Sequence, residues 1–200
     1  MTISLRALAP VAATLLLATS CVSTERETAT SSKDPRTEFT PPRGRGERVG
    51  AATVLNTVRA THPFSDPKTP DTFVLELRGP RIITGRAHLF VLSSQGDTLR
   101  HEVLPATALI DDPTLRNNQS ASVRDKEISI LRGMNAFFGP GQFVQPAVPA
   151  AMPQPAEVDT QAWASLRNDP RAVGFDFPTG TGETRLAYSR QAGKVVVINQ

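Results

Sequence analysis

Cysteine is almost absent from this chain: Cys21 is the one thiol among 200 residues. No intramolecular disulfide can form, so any folded part must be stabilised by burial alone, and a cysteine-rich metal centre is excluded. Histidine is nearly as scarce. His62, His88 and His101 fall at no metal-ligand spacing and have no Ser and Asp partners arranged for nucleophilic catalysis. Lysine is confined to Lys33, Lys68, Lys126 and Lys194, and 22 basic residues stand against 19 acidic ones for a net charge of +3. Such a balance argues against nucleic acid as a partner, since recognition domains cluster Lys and Arg on one face. No apolar run reaches the about 20 residues that a helix needs to cross a bilayer core.

What the chain does have is a marked beginning. Met1 to Arg6 carries one positive side chain, Ala7 to Leu17 is apolar, and Ala18-Thr19-Ser20 leads into Cys21. A charged start, a short apolar stretch and small residues before a cut are the three parts of a secretory signal. Leu17-Ala18-Thr19-Ser20-Cys21 resembles the lipobox of bacterial lipoproteins. The resemblance implies removal of residues 1–20, a diacylglycerol thioether on the Cys21 sulfur and a further, palmitate-type acyl chain on the new amino terminus. A single chain holds a protein reversibly, at about 0.8 kcal/mol per buried CH₂, and two or three make the attachment durable. Val22 rather than Asp follows the cysteine, which within that family points to the outer membrane.

Residues 21–70 read as a tether. They are poor in large apolar groups and rich in Thr, Ser, Pro, Glu and Arg, a composition that cannot offset chain entropy by burial. As a flexible chain, 48 or so residues span about 35–40 Å root-mean-square. Arg43-Gly44-Arg45-Gly46-Glu47-Arg48 is a basic knot within it, read as solvated linker.

Residues 71–200 read as a single α+β domain. Phe73, Leu75 and Leu77 alternate with Val74, Glu76 and Arg78, the period-2 pattern of a half-buried strand. Gly79-Pro80 turns the chain into a second strand at 82–94, and Gln95-Gly96-Asp97 turns that into a third at 98–104. His88 and His101 lie on the two arms of this hairpin, diagonal on one face; with no third ligand in reach, no metal and no cofactor are expected. Ser122 caps a helix over 123–138 with Ile128, Leu131, Met134 and Phe138 at helical spacing and Ile130 and Phe137 widening the stripe. Asp159 caps a second, 160–167, where Trp163 beside Leu166 reads as a core anchor rather than an exposed sugar platform. Strands at 173–177, 184–190 and 194–199 complete the chain. The expected architecture is two three-stranded antiparallel meanders with two helices between them, packed on one face of a combined sheet.

Arg171-Ala172-Val173-Gly174-Phe175, Arg185-Leu186-Ala187-Tyr188-Ser189 and Lys194-Val195-Val196-Val197 are similar to the tail of a group of uncharacterised Bacteroidota lipoproteins. Phe137-Phe138, Phe143 and Pro146-Ala147-Val148 resemble that group's middle segment, and Asp71-Thr72-Phe73 with the Gly96-Asp97 hairpin its opening. The group brings an address and a fold, and no activity. No catalytic constellation stands out, so the leading expectation is a membrane-tethered binding or accessory module that contacts an envelope protein or glycan. Its rivals are a small hydrolase using carboxylates such as Glu76, Asp176 or Glu183, and a structural or inhibitory subunit of an envelope complex.

Overall fold

The computed structural model describes residues 49–116, 120–180 and 182–199; the leader, Cys21 and the basic knot at 43–48 lie outside the described residues. The class is α+β, with two four-stranded antiparallel sheets rather than two three-stranded meanders. Sheet A runs β1 (Val54–His62), β2 (Asp71–Arg78), β3 (Arg86–Leu92), β4 (Thr98–Pro105); sheet B runs β5 (Phe143–Val144), β6 (Gly174–Pro178), β7 (Glu183–Ser189), β8 (Lys194–Asn199). Three α-helices accompany them: a single turn α1 (Pro113–Arg116), α2 (Val123–Ala136) and α3 (Thr160–Arg167). No described helix is long and apolar enough to cross a membrane.

Two extra strands account for the difference. β1 lies inside the stretch expected to be tether, pairing with β2 from Val54↔Arg78 to His62↔Asp71. Ordered chain therefore begins well before residue 71, and His62 belongs to a strand. The loop from β1 to β2 is held by Asp71, a fully buried carboxylate that accepts from the backbone N–H of Phe64 at 3.2 Å, the backbone N–H of Ser65 at 2.5 Å and the Ser65 hydroxyl at 2.9 Å. This seats Phe64 in the core with 1% of its surface exposed. Asp71→Ala leaves those donors unpaired and is expected to lower the unfolding free energy by about 2 kcal/mol, read from the midpoint of urea unfolding; an unchanged midpoint would show that the carboxylate does not organise the loop.

The two sheets do not merge; they pack face to face. Phe73, Leu75, Leu77, Leu89 and Val91 of sheet A meet Phe175, Phe177 and Leu186 of sheet B, all but completely buried. Phe73 joins the sheets, its ring centroid 5.1 Å from Phe175 in a tilted pair and 5.2 Å from Phe143 edge-on, arrangements that ring quadrupoles favour. The far face of sheet B carries Ala187, Val196 and Ile198, and α3 covers it through Ala162, Trp163 and Leu166. Trp163 is a core residue, 4% exposed, although its indole N–H has no partner among the described residues.

α2 closes one end of the sandwich. Ser122 accepts from the Asp125 N–H as its N-cap, but the buried side chains are Ser129, Ile130, Met134 and Phe137, while Ile128 is 40% exposed. Leu131 and Phe138 pack against the same core partly buried, so of the expected stripe only Ile128 falls on the exposed side. The helix approaches a short 3₁₀ turn, Ala106–Leu109, so closely that a Cβ on Gly133 would stand 1.8 Å from the Leu109 carbonyl oxygen. Sheet B is therefore covered on both faces, whereas sheet A has a described element packed on one face only.

Candidate functional site on the open face of sheet A

Strand alternation decides what the open face carries. With Phe73, Leu75 and Leu77 turned inward, Val74, Glu76 and Arg78 of β2 turn outward, joined by Arg86, His88 and Phe90 of β3 and His101 and Val103 of β4. Residues 79–85 set this register: Gly79 adopts φ +147°, and a Cβ there would stand 2.9 Å from Gly85 Cα. The tight connection places Arg78 directly opposite Arg86 and Glu76 opposite His88.

His88 and His101 are brought together, diagonally across the ladder as the hairpin predicts. Nδ1 of His88 lies 3.1 Å from Nε2 of His101, so one imidazole donates and the other accepts. Their centroids are 5.3 Å apart with planes inclined by 18°; that separation exceeds the nitrogen distance by about two ring radii, so the rings meet edge to edge in nearly one plane. His101 also lies flat on Phe90, centroids 4.3 Å apart and planes 4° apart. The Arg78 guanidinium sits 5.7 Å from the Phe90 centroid. Phe90 thus carries cationic or imidazole groups against its π-face.

Arg78 donates from Nε at 2.9 Å and from Nη2 at 2.5 Å to one oxygen of Glu76. The Arg86 side chain makes no hydrogen bond or ion pair among the described residues. A depression of about 130 Å³ opens between these groups, lined by Ala51, Arg78, Gly79, Thr84, Arg86 and His88. Partial burial, followed by the charges of Arg78 and His101, holds the His88 imidazole below its ordinary pKa; Glu76 opposes the shift and Arg86 adds to it. Among the described residues no group of three or more His, Cys, Asp or Glu is placed to hold a metal ion. His62, the remaining histidine, stacks on Phe143 at 4.1 Å, on the inward side of β1.

The carboxylates named for a hydrolase are not gathered. Glu76 is on sheet A and neutralised by Arg78, while Asp176 and Glu183 are on sheet B. Asp176 is held by a two-pronged contact from Arg185, at 2.5 and 2.6 Å. Glu183 borders a depression of about 200 Å³ with Asp111 and Arg116, but Asp111 is engaged by the Ser129 hydroxyl. The other depressions described here measure about 160 to 290 Å³, below the about 300–1,000 Å³ usual for small-molecule sites.

The arginines were outside the residues singled out from sequence. Their signal was the short Gly79–Gly85 connection, which fixes the 78–86 pairing once its length is known. No protein-family model matches the chain, and neither a curated protein nor a solved structure matches it.

Proposed function

We propose that this chain is a lipid-anchored envelope module, held at the outer membrane through Cys21, that binds an envelope component through the open face of sheet A. The observation that carries this reading is the asymmetry of the sandwich. Sheet B is buried on both sides, whereas sheet A turns Arg59, Arg78, Arg86, His88, Phe90, His101 and Val103 outward. An antiparallel sheet with one solvated face ordinarily carries scattered polar residues there; here aromatic, imidazole and guanidinium groups are concentrated, the groups that binding surfaces favour. The hydrolase reading has less support, because its three carboxylates are divided between two sheets and two of them are bound to arginines.

Site-specific photo-crosslinking in cells tests both halves of the proposal. A crosslinker at Val103, 41% exposed on the open face, is expected to give a discrete adduct. One at Gln161, exposed on α3, is expected to give none, and Cys21→Ala is expected to release the protein from membranes and abolish the Val103 adduct. Equal adducts from both positions would sink the face assignment. Unchanged membrane association of Cys21→Ala would sink the anchor.

A further inference from the structure

We propose that the depression between Arg78, Arg86 and His88 is a binding site for a single oxyanion group, carboxylate or phosphate, and that the His88–His101 pair couples its occupancy to one proton. The inference rests on the binding face proposed above and names the chemistry of what that face takes.

Three observations converge on an anion. First, Arg78 and Arg86 occupy directly opposed positions on neighbouring strands, and like charges so placed destabilise a sheet. Glu76 offsets one of them through the Arg78 contact at 2.5 Å; Arg86 has no counterion recorded among the described residues, so the local charge remains positive. An oxyanion between the two guanidiniums removes that repulsion, and guanidinium forks match the geometry of such groups. Second, these two arginines and His88 are not merely neighbours but share the walls of one depression of about 130 Å³, room for a carboxylate or phosphate and little more. Third, Thr84 also lines it, and a threonine hydroxyl can donate to an anion.

The imidazole pair supplies the proton coupling. His88 faces Glu76 and Arg78 on β2, Arg86 on its own strand and His101 on β4. Partial burial first, and then the charges of Arg78 and His101, oppose a charge on its own ring. The 3.1 Å contact lets Nε2 of His101 and Nδ1 of His88 share one proton between them, with the His101 ring lying flat on Phe90. Protonation of the pair adds one positive charge a ring's length from the anion. The sign follows: anion binding favours the protonated pair, so affinity rises as pH falls through the imidazole range and weakens above it. A unit charge at such a distance in a partly solvated site changes affinity by about three- to fivefold.

The test is an NMR titration of the full-length chain in neutral detergent micelles, with inorganic phosphate and glucuronate as separate probes, following the imidazole nitrogens of His88 and His101. Glucuronate carries the pH comparison, because its carboxylate stays ionised throughout. Saturable shifts at both rings are expected, about three- to fivefold tighter at pH 5.5 than at pH 7.5. Arg86→Ala, which breaks no recorded hydrogen bond among the described residues, is expected to weaken binding about tenfold or more. His101→Gln retains a hydrogen-bonding side chain but not the imidazole, and, whatever its absolute affinity, is expected to bind equally at pH 5.5 and pH 7.5. Response to phosphate alone assigns the site to phosphorylated ligands; response to glucuronate alone assigns it to sugar acids. Absence of saturable shifts with both probes, or equal affinity in Arg86→Ala, overturns the oxyanion site. A pH gain that survives His101→Gln overturns the coupling. Photo-crosslinking at Val103 reads the binding face separately: an adduct that persists alongside a failed titration leaves the face and removes only its ligand.

Discussion

Gly133→Ala is expected to destabilise the domain by at least about 3 kcal/mol. Helix propensity alone predicts the opposite sign, since alanine in a helix interior is favoured over glycine by up to about 1 kcal/mol. The difference lies in what surrounds α2. A Cβ at position 133 would stand 1.8 Å from the Leu109 carbonyl oxygen and 2.9 Å from its carbonyl carbon; both are backbone atoms, so no flexible side chain can swing aside. Either the helix lifts off the 3₁₀ turn, withdrawing Ile130, Met134 and Phe137 from the core, or the turn distorts beneath Leu109 and Ile110. Chemical denaturation of Gly133→Ala beside Arg132→Ala measures this. The neighbouring substitution at an exposed position should be nearly neutral, and a Gly133→Ala protein as stable as its parent would show that α2 does not sit against that turn.

The second large effect is expected at the ion pair between Arg185 and Asp176. Their side chains are 9% and 14% exposed, and Arg185 also donates from Nη1 to the Ala147 carbonyl at 3.0 Å. Gly174 makes this possible, because a Cβ there would meet Arg185 Cδ at 2.7 Å. Asp176→Ala removes the two-pronged carboxylate contact from a largely buried guanidinium and is expected to lower stability by about 3–5 kcal/mol. Replacing both partners with apolar residues of similar size, Asp176→Leu with Arg185→Met, is expected to recover most of that loss, since the penalty belongs to the desolvated charge more than to the missing attraction. A double variant as unstable as the single one would mean that the pair is needed for its shape and hydrogen bonds instead.

Most strands of this fold were legible because their chemistry is local. β2 alternates cleanly, Gly96 with φ +91° supplies the turn between β3 and β4, and Ser122 and Asp159 cap helices as their side chains predict. β1 was not legible. Leu55, Val58 and Ala60 are only half-buried, and its ordering comes from β2 alongside and from Asp71 gathering the loop, neither of which leaves a periodic mark. β5 is two residues long and exists only because β6 pairs with it. The site divides in the same way. The diagonal placement of His88 and His101 follows from one tight hairpin, but the meeting of Arg78 with Arg86 depends on the course of residues 79–85, where Ile82–Thr84 reads as strand and folds as turn. The stripe of α2 was legible from its spacing, Ile128 excepted, but the close approach at Gly133 was not, because it depends on the distant Leu109 carbonyl.

Every ladder in both sheets joins strands adjacent in chain order, and this shapes the order in which the molecule can be made. Sheet A can complete all its internal hydrogen bonds before any of β6, β7 or β8 has been synthesised. During that interval Phe73, Leu75, Leu77, Leu89 and Val91 form an apolar face that still lacks Phe175, Phe177 and Leu186 of sheet B. Local pairings form quickly, so the slow and vulnerable event is the later docking of one finished sheet on the other, with expulsion of the water between them. Until Phe175 reaches Phe73, the nascent chain presents the kind of surface that aggregates or recruits a chaperone.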